Sequence, residues 1–134
     1  MNDGDRAMNA GDALTPLVKE PVTRLQLVQY AGASGDFNPI HWDPERGAEM
    51  GLGGVIAHGM LSMGFLGQYV AQIAGPANVR RLKVRFAAMV RPGDVLTCSG
   101  VVRSVEGSRA TLDVWAENAE GDKVTTGEAE VEIG

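Results

Sequence analysis

Residues 30–69 read YAGASGDFNPIHWDPERGAEMGLGGVIAHGMLSMGFLGQY, and the fold class turns on how the second half of this stretch is taken. From Met50 to Val79 there is no Asp, Glu, Lys or Arg, a run long enough to cross a bilayer as a helix. Arg80, Arg81, Lys83 and Arg85 follow, where a positive-inside flank would sit. Yet His58, Ser62, Gln68, Gln72 and Asn78 interrupt the run with polar groups, and a helix uncharged on every side also suits a protein core. The reading adopted is a buried helix from His58 or Gly59 to Ile73 or Ala74, with no membrane span. Along it Met60, Gly64, Gly67, Ala71 and Ala74 recur at helical spacing and form one face of mostly very small side chains. That face is expected to approach a sheet closely, at some cost in helix propensity. Leu61, Phe65 and Tyr69 form a bulkier row beside it. Packing of the helix against another helix is the alternative.

Beyond Gly75-Pro76 the hydrophobic period changes to two. Leu82, Val84 and Phe86 alternate with Arg81, Lys83 and Arg85, the pattern of a half-buried strand. Arg91-Pro92-Gly93-Asp94 makes a turn, and strands are expected over 95–105, 110–116 and 124–133, with turns at Gly107-Ser108 and Glu120-Gly121-Asp122. On the other side of the opening stretch, residues 14–19 suit a short strand that Pro16 confines to an edge. Thr23 and Gln26 have the spacing of a capping box, with Val22 and Leu27 placed as a hydrophobic staple. The helix they start should turn Leu25, Val28 and Ala31 inward and stop among Gly32 to Gly35. Asp43-Pro44 looks like the cap and first position of a short helix to about Met50. Helices first, then a meander of antiparallel strands, is an α+β layout.

At 134 residues, 44% hydrophobic and 22% charged, one domain with a true core is expected. Residues 1–13, polar and rich in Gly, Asn and Asp, are expected to be a flexible arm ahead of a domain at 14–134. They have none of the marks of a secretory signal peptide. A net charge of −5 argues against a nucleic-acid partner. The lone Cys98 excludes an internal disulfide, which fits a cytoplasmic location.

Both histidines of the chain, His41 and His58, lie in the opening stretch. Asp36 and His41 sit five residues apart across a loop restricted by Gly35 and Pro39. A carboxylate and an imidazole meeting over one water suit general acid–base chemistry. Spacing alone leaves equally open a capping role for Asp36 and a hydrogen-bonded core role for His41. Gly59, at the amino end of the long helix, would leave its N–H free to hold a carbonyl oxygen that gains negative charge. A metal held by Asp36, His41, Asp43 and His58 is conceivable, but HxxxH, HExxH and paired cysteines are lacking, so none is expected. GxSxG, P-loop and dinucleotide patterns are lacking too. The basic group Arg80, Arg81, Lys83, Arg85 and Arg91 reads as the solvated face of a strand or as a dock for a phosphate-bearing or acidic carrier.

The ordered run YAGASGDFNPIH at 30–41, followed by AHGM at 57–60, resembles the signature of the MaoC-like, (R)-specific enoyl-thioester hydratases. Ile40-His41-Trp42-Asp43 and Ala57-His58-Gly59-Met60-Leu61 are most similar to the (3R)-hydroxyacyl-ACP dehydratases of that family. The resemblance covers the layout from about Leu14 onward. It implies a single hot-dog fold, a curved antiparallel sheet wrapped around the long central helix, in a dimer with acyl tunnels near the subunit interface. It implies reversible syn addition of water to a trans-2-enoyl thioester of CoA or acyl carrier protein, giving the (3R)-hydroxyacyl thioester in fatty-acid metabolism, without cofactor or metal. Asp36 and His41 would match the catalytic pair, Gly59 the oxyanion donor and Asn38 the loop asparagine, with His58, Ser62 and Arg85 also expected to face the substrate. One departure is that many relatives carry a serine where Gly64 aligns, whereas here Ser62 is merely nearby. Two competing readings are a hot-dog thioesterase, for which the helix lacks a carboxylate, and a non-catalytic acyl-binding subunit paired with a paralogue. A homodimer is expected, with a heterodimer as the alternative.

Overall fold

The computed structural model describes residues 8–133. A two-residue strand β1 (Leu17–Val18) is followed by α1 (Arg24–Ser34), a 3₁₀ turn at Pro39–His41, α2 (Pro44–Glu49) and the long α3 (Gly59–Ala74). A second 3₁₀ turn, Pro76–Asn78, leads into β2 (Val79–Phe86), β3 (Thr97–Glu106), β4 (Arg109–Glu117) and β5 (Lys123–Glu132). The five strands form one antiparallel sheet in the order β1-β3-β4-β5-β2. It curls around α3, as the hot-dog arrangement requires. Of the expected arm, residues 1–7 lie outside the described residues. Residues 11–14 run along β3, with Gly11 N donating to Val102 O and Leu14 N to Gly100 O.

The local signals act as their chemistry demands. Thr23 Oγ1 accepts from Gln26 N at 3.0 Å and so caps α1, and Gly35, at φ 75°, closes that helix in the left-handed region. Asp43 caps α2 by accepting from Glu45 N, with Pro44 at its first position. In the sheet, Gly100, Val114 and Gly127 share one row across β3, β4 and β5. A Cβ on Gly127 would sit 2.3 Å from Lys83 O, and one on Gly100 2.7 Å from Asp113 O. Both strands can close on their neighbours there only because the side chain is missing.

Two expectations about helix faces are corrected. α3 turns its bulky row inward: Leu61, Phe65, Leu66, Tyr69, Val70 and Ile73 are buried, while Met60 and Gly64 are exposed and Gly67 and Ala71 half-buried. The small face instead passes the edge strand β2, where Gly67 lies near Leu82 and Gly59 near Phe86. Burying large side chains removes more apolar area from water than burying glycines, and that difference chose the face. On α1, Leu27 and Ala31 are inward, but Leu25 and Val28 stand in solvent. The core unites α3 with the inward residues of the sheet, among them Cys98, Val102, Leu112, Val114, Ala129 and Val131. Burial pushes the Cys98 thiol up to about 11, against a smaller opposing pull from Lys19. Among the described residues no helix is long and apolar enough to cross a membrane.

Candidate active site

Everything in the loop after α1 serves to present two side chains. Asp36 Oδ1 accepts from Asn38 N, Asn38 Oδ1 accepts from Ile40 N, and Trp42 Nε1 donates to Phe37 O. The loop is therefore wound on its own polar atoms, and Pro39 starts the 3₁₀ turn that carries His41 inward. A second segment, residues 55–58, clamps it. Ile56 N donates to Ile40 O, and His41 Nδ1 lies 2.8 Å from Ile56 O. A carbonyl only accepts, so Nδ1 carries the hydrogen and Nε2 of the neutral ring presents a lone pair.

That lone pair faces Asp36 Oδ2 across 3.7 Å. The gap is too long for a direct hydrogen bond and leaves room for a bridging group. With the ring neutral both sides are acceptors, and a water, which carries two hydrogens, satisfies them. The Asp36 side chain is 53% exposed and that of His41 9%. One partner thus reaches solvent while the other is sheathed.

His58, the residue before α3, makes no side-chain cap on that helix. Its ring stacks on His41 at 3.7 Å between centroids and 20° between planes, and Tyr30 packs at 4.8 Å. Its Nε2 lies 3.0 Å from the main-chain O of Asp36. Gly59 opens α3, and no acceptor among the described residues takes its N–H, which points from the positive end of the helix dipole. A Cβ there would meet the Phe86 ring at 3.3 Å. Ser62, one turn on, is buried and bonds Gly59 O at 2.8 Å and Thr125 Oγ1 at 2.7 Å. A cleft of about 370 Å³ runs past His41, His58, Gly59, Ser62, Phe86 and Thr125.

Five of the seven expected residues are thus brought together: Asp36, His41, His58, Gly59 and Ser62. Asn38 and Arg85 are not. The Asn38 side chain is spent on the 3₁₀ turn and borders another depression, with Met50 and Leu52. Arg85 pairs with Thr126 in register, whereas Phe86 pairs with Thr125 on the α3 side. Strand alternation therefore sends Arg85 to the far face of the sheet, into a wide depression of about 710 Å³ among charged side chains. The acids there, Asp113 and Glu128, are paired with Arg103, and neither histidine nor Gly59 borders that depression. Thr125, Phe86, Tyr30 and the Ile56 carbonyl were missed in the sequence. Phe86 alone had a signal, as the last inward residue of an alternating strand.

Asp36, His41 and His58 each offer one ligand atom within 4.8 Å of the others, a group able to hold a metal ion. Full ligation would require His58 Nε2 to release the Asp36 carbonyl. Asp43, grouped with them in the sequence, is committed to capping α2.

Comparison with known proteins identifies the family and the fold. The family profile described as MaoC like domain matches residues 7–124. The "Fatty acid synthase beta subunit hexB" of Dothistroma septosporum is 37% identical over 122 residues, 88% of this chain but 6% of that protein. The "3-hydroxybutyryl-CoA dehydratase" of Methylorubrum extorquens is 29% identical over 123 residues, covering 90% of this chain and 78% of its own. Among solved structures, the unliganded R-hydratase PhaJ1 of Pseudomonas aeruginosa superposes with a TM-score of 0.88 at 27% identity, over 98% of this chain and 86% of that one. The chain spans only 6% to 18% of the length of the first three curated relatives it matches.

Proposed function

The chain belongs to the MaoC-like domain family, and from that premise we propose that it is a hydro-lyase interconverting a trans-2-enoyl thioester and its (3R)-hydroxyacyl thioester. One observation carries the reading: the lone pair of His41 Nε2 and Asp36 Oδ2 face each other across 3.7 Å, with the His41 tautomer set by Ile56 O. A water held there donates one hydrogen to each and turns its oxygen lone pair towards C3 of the substrate. As the C–O bond forms, one proton passes to the pair, and the acid so made protonates C2. Hydroxyl and hydrogen come from one small group on one side of the substrate, which makes the addition syn. The thioester oxygen gains negative charge as C3 is attacked, and the Gly59 N–H at the head of α3 is the donor that meets it. Every step uses only water, the substrate and groups of this chain.

The substrate is a CoA or acyl-carrier-protein thioester of fatty-acid metabolism, with residues 14–134 as the working domain. We place the protein in the cytoplasm, where the buried free thiol of Cys98 is suited. A homodimer is part of the proposal, with a paralogue as the other possible partner. Met60, Phe86 and Met89 are each about half exposed around the cleft, and β2 is an open sheet edge. Exposed apolar groups clustered beside an open strand edge call for a covering surface.

The test is to assay the purified chain with crotonyl-CoA and with a long-chain enoyl-CoA, and to determine the configuration of the product. Formation of (3R)-hydroxyacyl-CoA from either is expected. A (3S) product, or no turnover of both, overturns the reading. Sedimentation in the same preparation should give twice the chain mass.

A further inference from the structure

We infer that His58 is a positioning residue, which fixes the carboxylate that holds the water relative to the N–H that receives the oxyanion. The inference rests on the hydratase reading above and gives this ring a role other than touching substrate. His58 is 3% exposed, and its Nε2 hydrogen is committed to Asp36 O at 3.0 Å. Its Nδ1 is buried with no hydrogen-bond partner among the described residues. Nε2 faces a carbonyl and is therefore the donor, and Nδ1 is turned away from polar partners.

The need for such a residue is visible in the other bonds of Asp36. Its N–H reaches Ser34 Oγ at 3.2 Å, and its Oδ1 accepts from Asn38 N. Both partners belong to the same stretch of chain. Among the described residues, the bond from His58 is the one hydrogen bond tying Asp36 to an element outside that stretch. The element is α3, at the residue directly before Gly59. One side chain thus spans the two halves of the chemistry: it holds Asp36 by the main chain while its own backbone leads into the oxyanion donor. Stacking on His41 at 3.7 Å and contact with Tyr30 fix the ring plane, so the bond has a defined direction. Serine, threonine or aspartate would be the ordinary choice before a helix. Histidine forgoes that cap and reaches 22 residues back along the chain instead.

The experiment compares His58→Ala and His58→Gln with wild type and Asp36→Asn, in steady-state hydration of crotonyl-CoA and in amide hydrogen exchange over residues 36–41. Misplacing a reacting group by about 1 Å costs on the order of 10²-fold in rate. His58→Ala is therefore expected to lower kcat by about 10- to 100-fold, with KM within about threefold. Exchange at Asn38 N, which bonds the Asp36 carboxylate, should accelerate. His58→Gln places an amide N–H near the Nε2 position and should recover most of the lost kcat; it also carries the test if the alanine variant does not fold. Equal impairment of folded Gln and Ala variants, unchanged kcat in His58→Ala, or unchanged exchange across the loop overturns the inference. If wild type and Asp36→Asn turn over alike, the hydratase reading falls, and the exchange result still decides whether His58 holds the loop.

Discussion

The two faces of the sheet handle charge in opposite ways. On the outer face Arg103 pairs with Asp113 and Glu128, Arg81 with Glu128 and Glu130, and Arg109 with Glu130 and Glu132. These groups lie in solvent and neutralise one another across strands. The side-chain bond to Asp113, then that to Glu128, raises the Arg103 guanidinium above its ordinary range, and Arg109, then Ser108, hold the Glu132 carboxyl below its own. On the inner face the polar groups are few, mostly buried, and each has an assigned contact: His41 to Ile56 O, His58 to Asp36 O, Ser62 to Thr125. The difference teaches that a count of charges does not locate chemistry. Chemistry sits where a few polar atoms are aimed and water access is limited, because electrostatic interactions weaken in a solvated, screened setting.

Five substitutions, the last read by acid titration, would break or sharpen that contrast. The largest effect is expected on the inner face, where Asp36→Asn or His41→Ala should lower kcat for crotonyl-CoA hydration by at least about two orders of magnitude. Near-normal turnover in both folded variants would remove the contrast altogether. Gly59→Ala keeps the N–H but sets a methyl at 3.3 Å from the Phe86 ring in the cleft. A loss of roughly tenfold in kcat/KM, about 1.4 kcal/mol, is expected; an unchanged value would mean that the Phe86 ring gives way without disturbing the site.

On the outer face, Arg103→Ala should leave kcat/KM unchanged. It exposes Asp113 and Glu128 to each other as direct cross-strand neighbours, which like charges resist. Because the pair is solvent-exposed, the cost in denaturant unfolding should stay under about 1 kcal/mol and shrink with added salt. The smallest effect concerns Glu132. Its folded-state value is lowered, so its contribution is present above the unfolded value and lost as pH falls through the folded one. Acid unfolding curves of wild type and Glu132→Gln should differ at neutral pH and converge as pH falls past the unfolded value and through the lowered folded one; curves that remain parallel would show that the pairing is idle.

Much of this was legible in the sequence, and the reasons are local. The Thr23/Gln26 spacing, the Asp43-Pro44 pair and the two-residue period of the last strands each act within a few residues, so α1, α2 and β3 to β5 were readable. The inward face of α3 was not. Nearly every residue in that helix is apolar or small, and periodicity gives no direction when both sides are apolar. Arg85 was misplaced for a related reason: alternation says that it lies opposite Phe86, but not which face the site occupies. In the candidate site, type and spacing singled out Asp36, His41 and Gly59 but left their roles open, and the resemblance supplied the pairing. The links that make them a site join residues 15, 22 and 63 positions apart, and no local pattern encodes those.

The acceptor that sets the His41 tautomer is the carbonyl of Ile56, and the amide of the same residue holds Ile40 O. Both duties belong to the main chain, so side-chain identity at 56 is free of them. Substitutions there should act through the wall of the cleft, which Ile56 also lines, and leave the two main-chain bonds in place, with proline, which lacks the amide hydrogen, as the exception. The proton chemistry proposed for this domain would thus be partly insulated from drift in its own sequence.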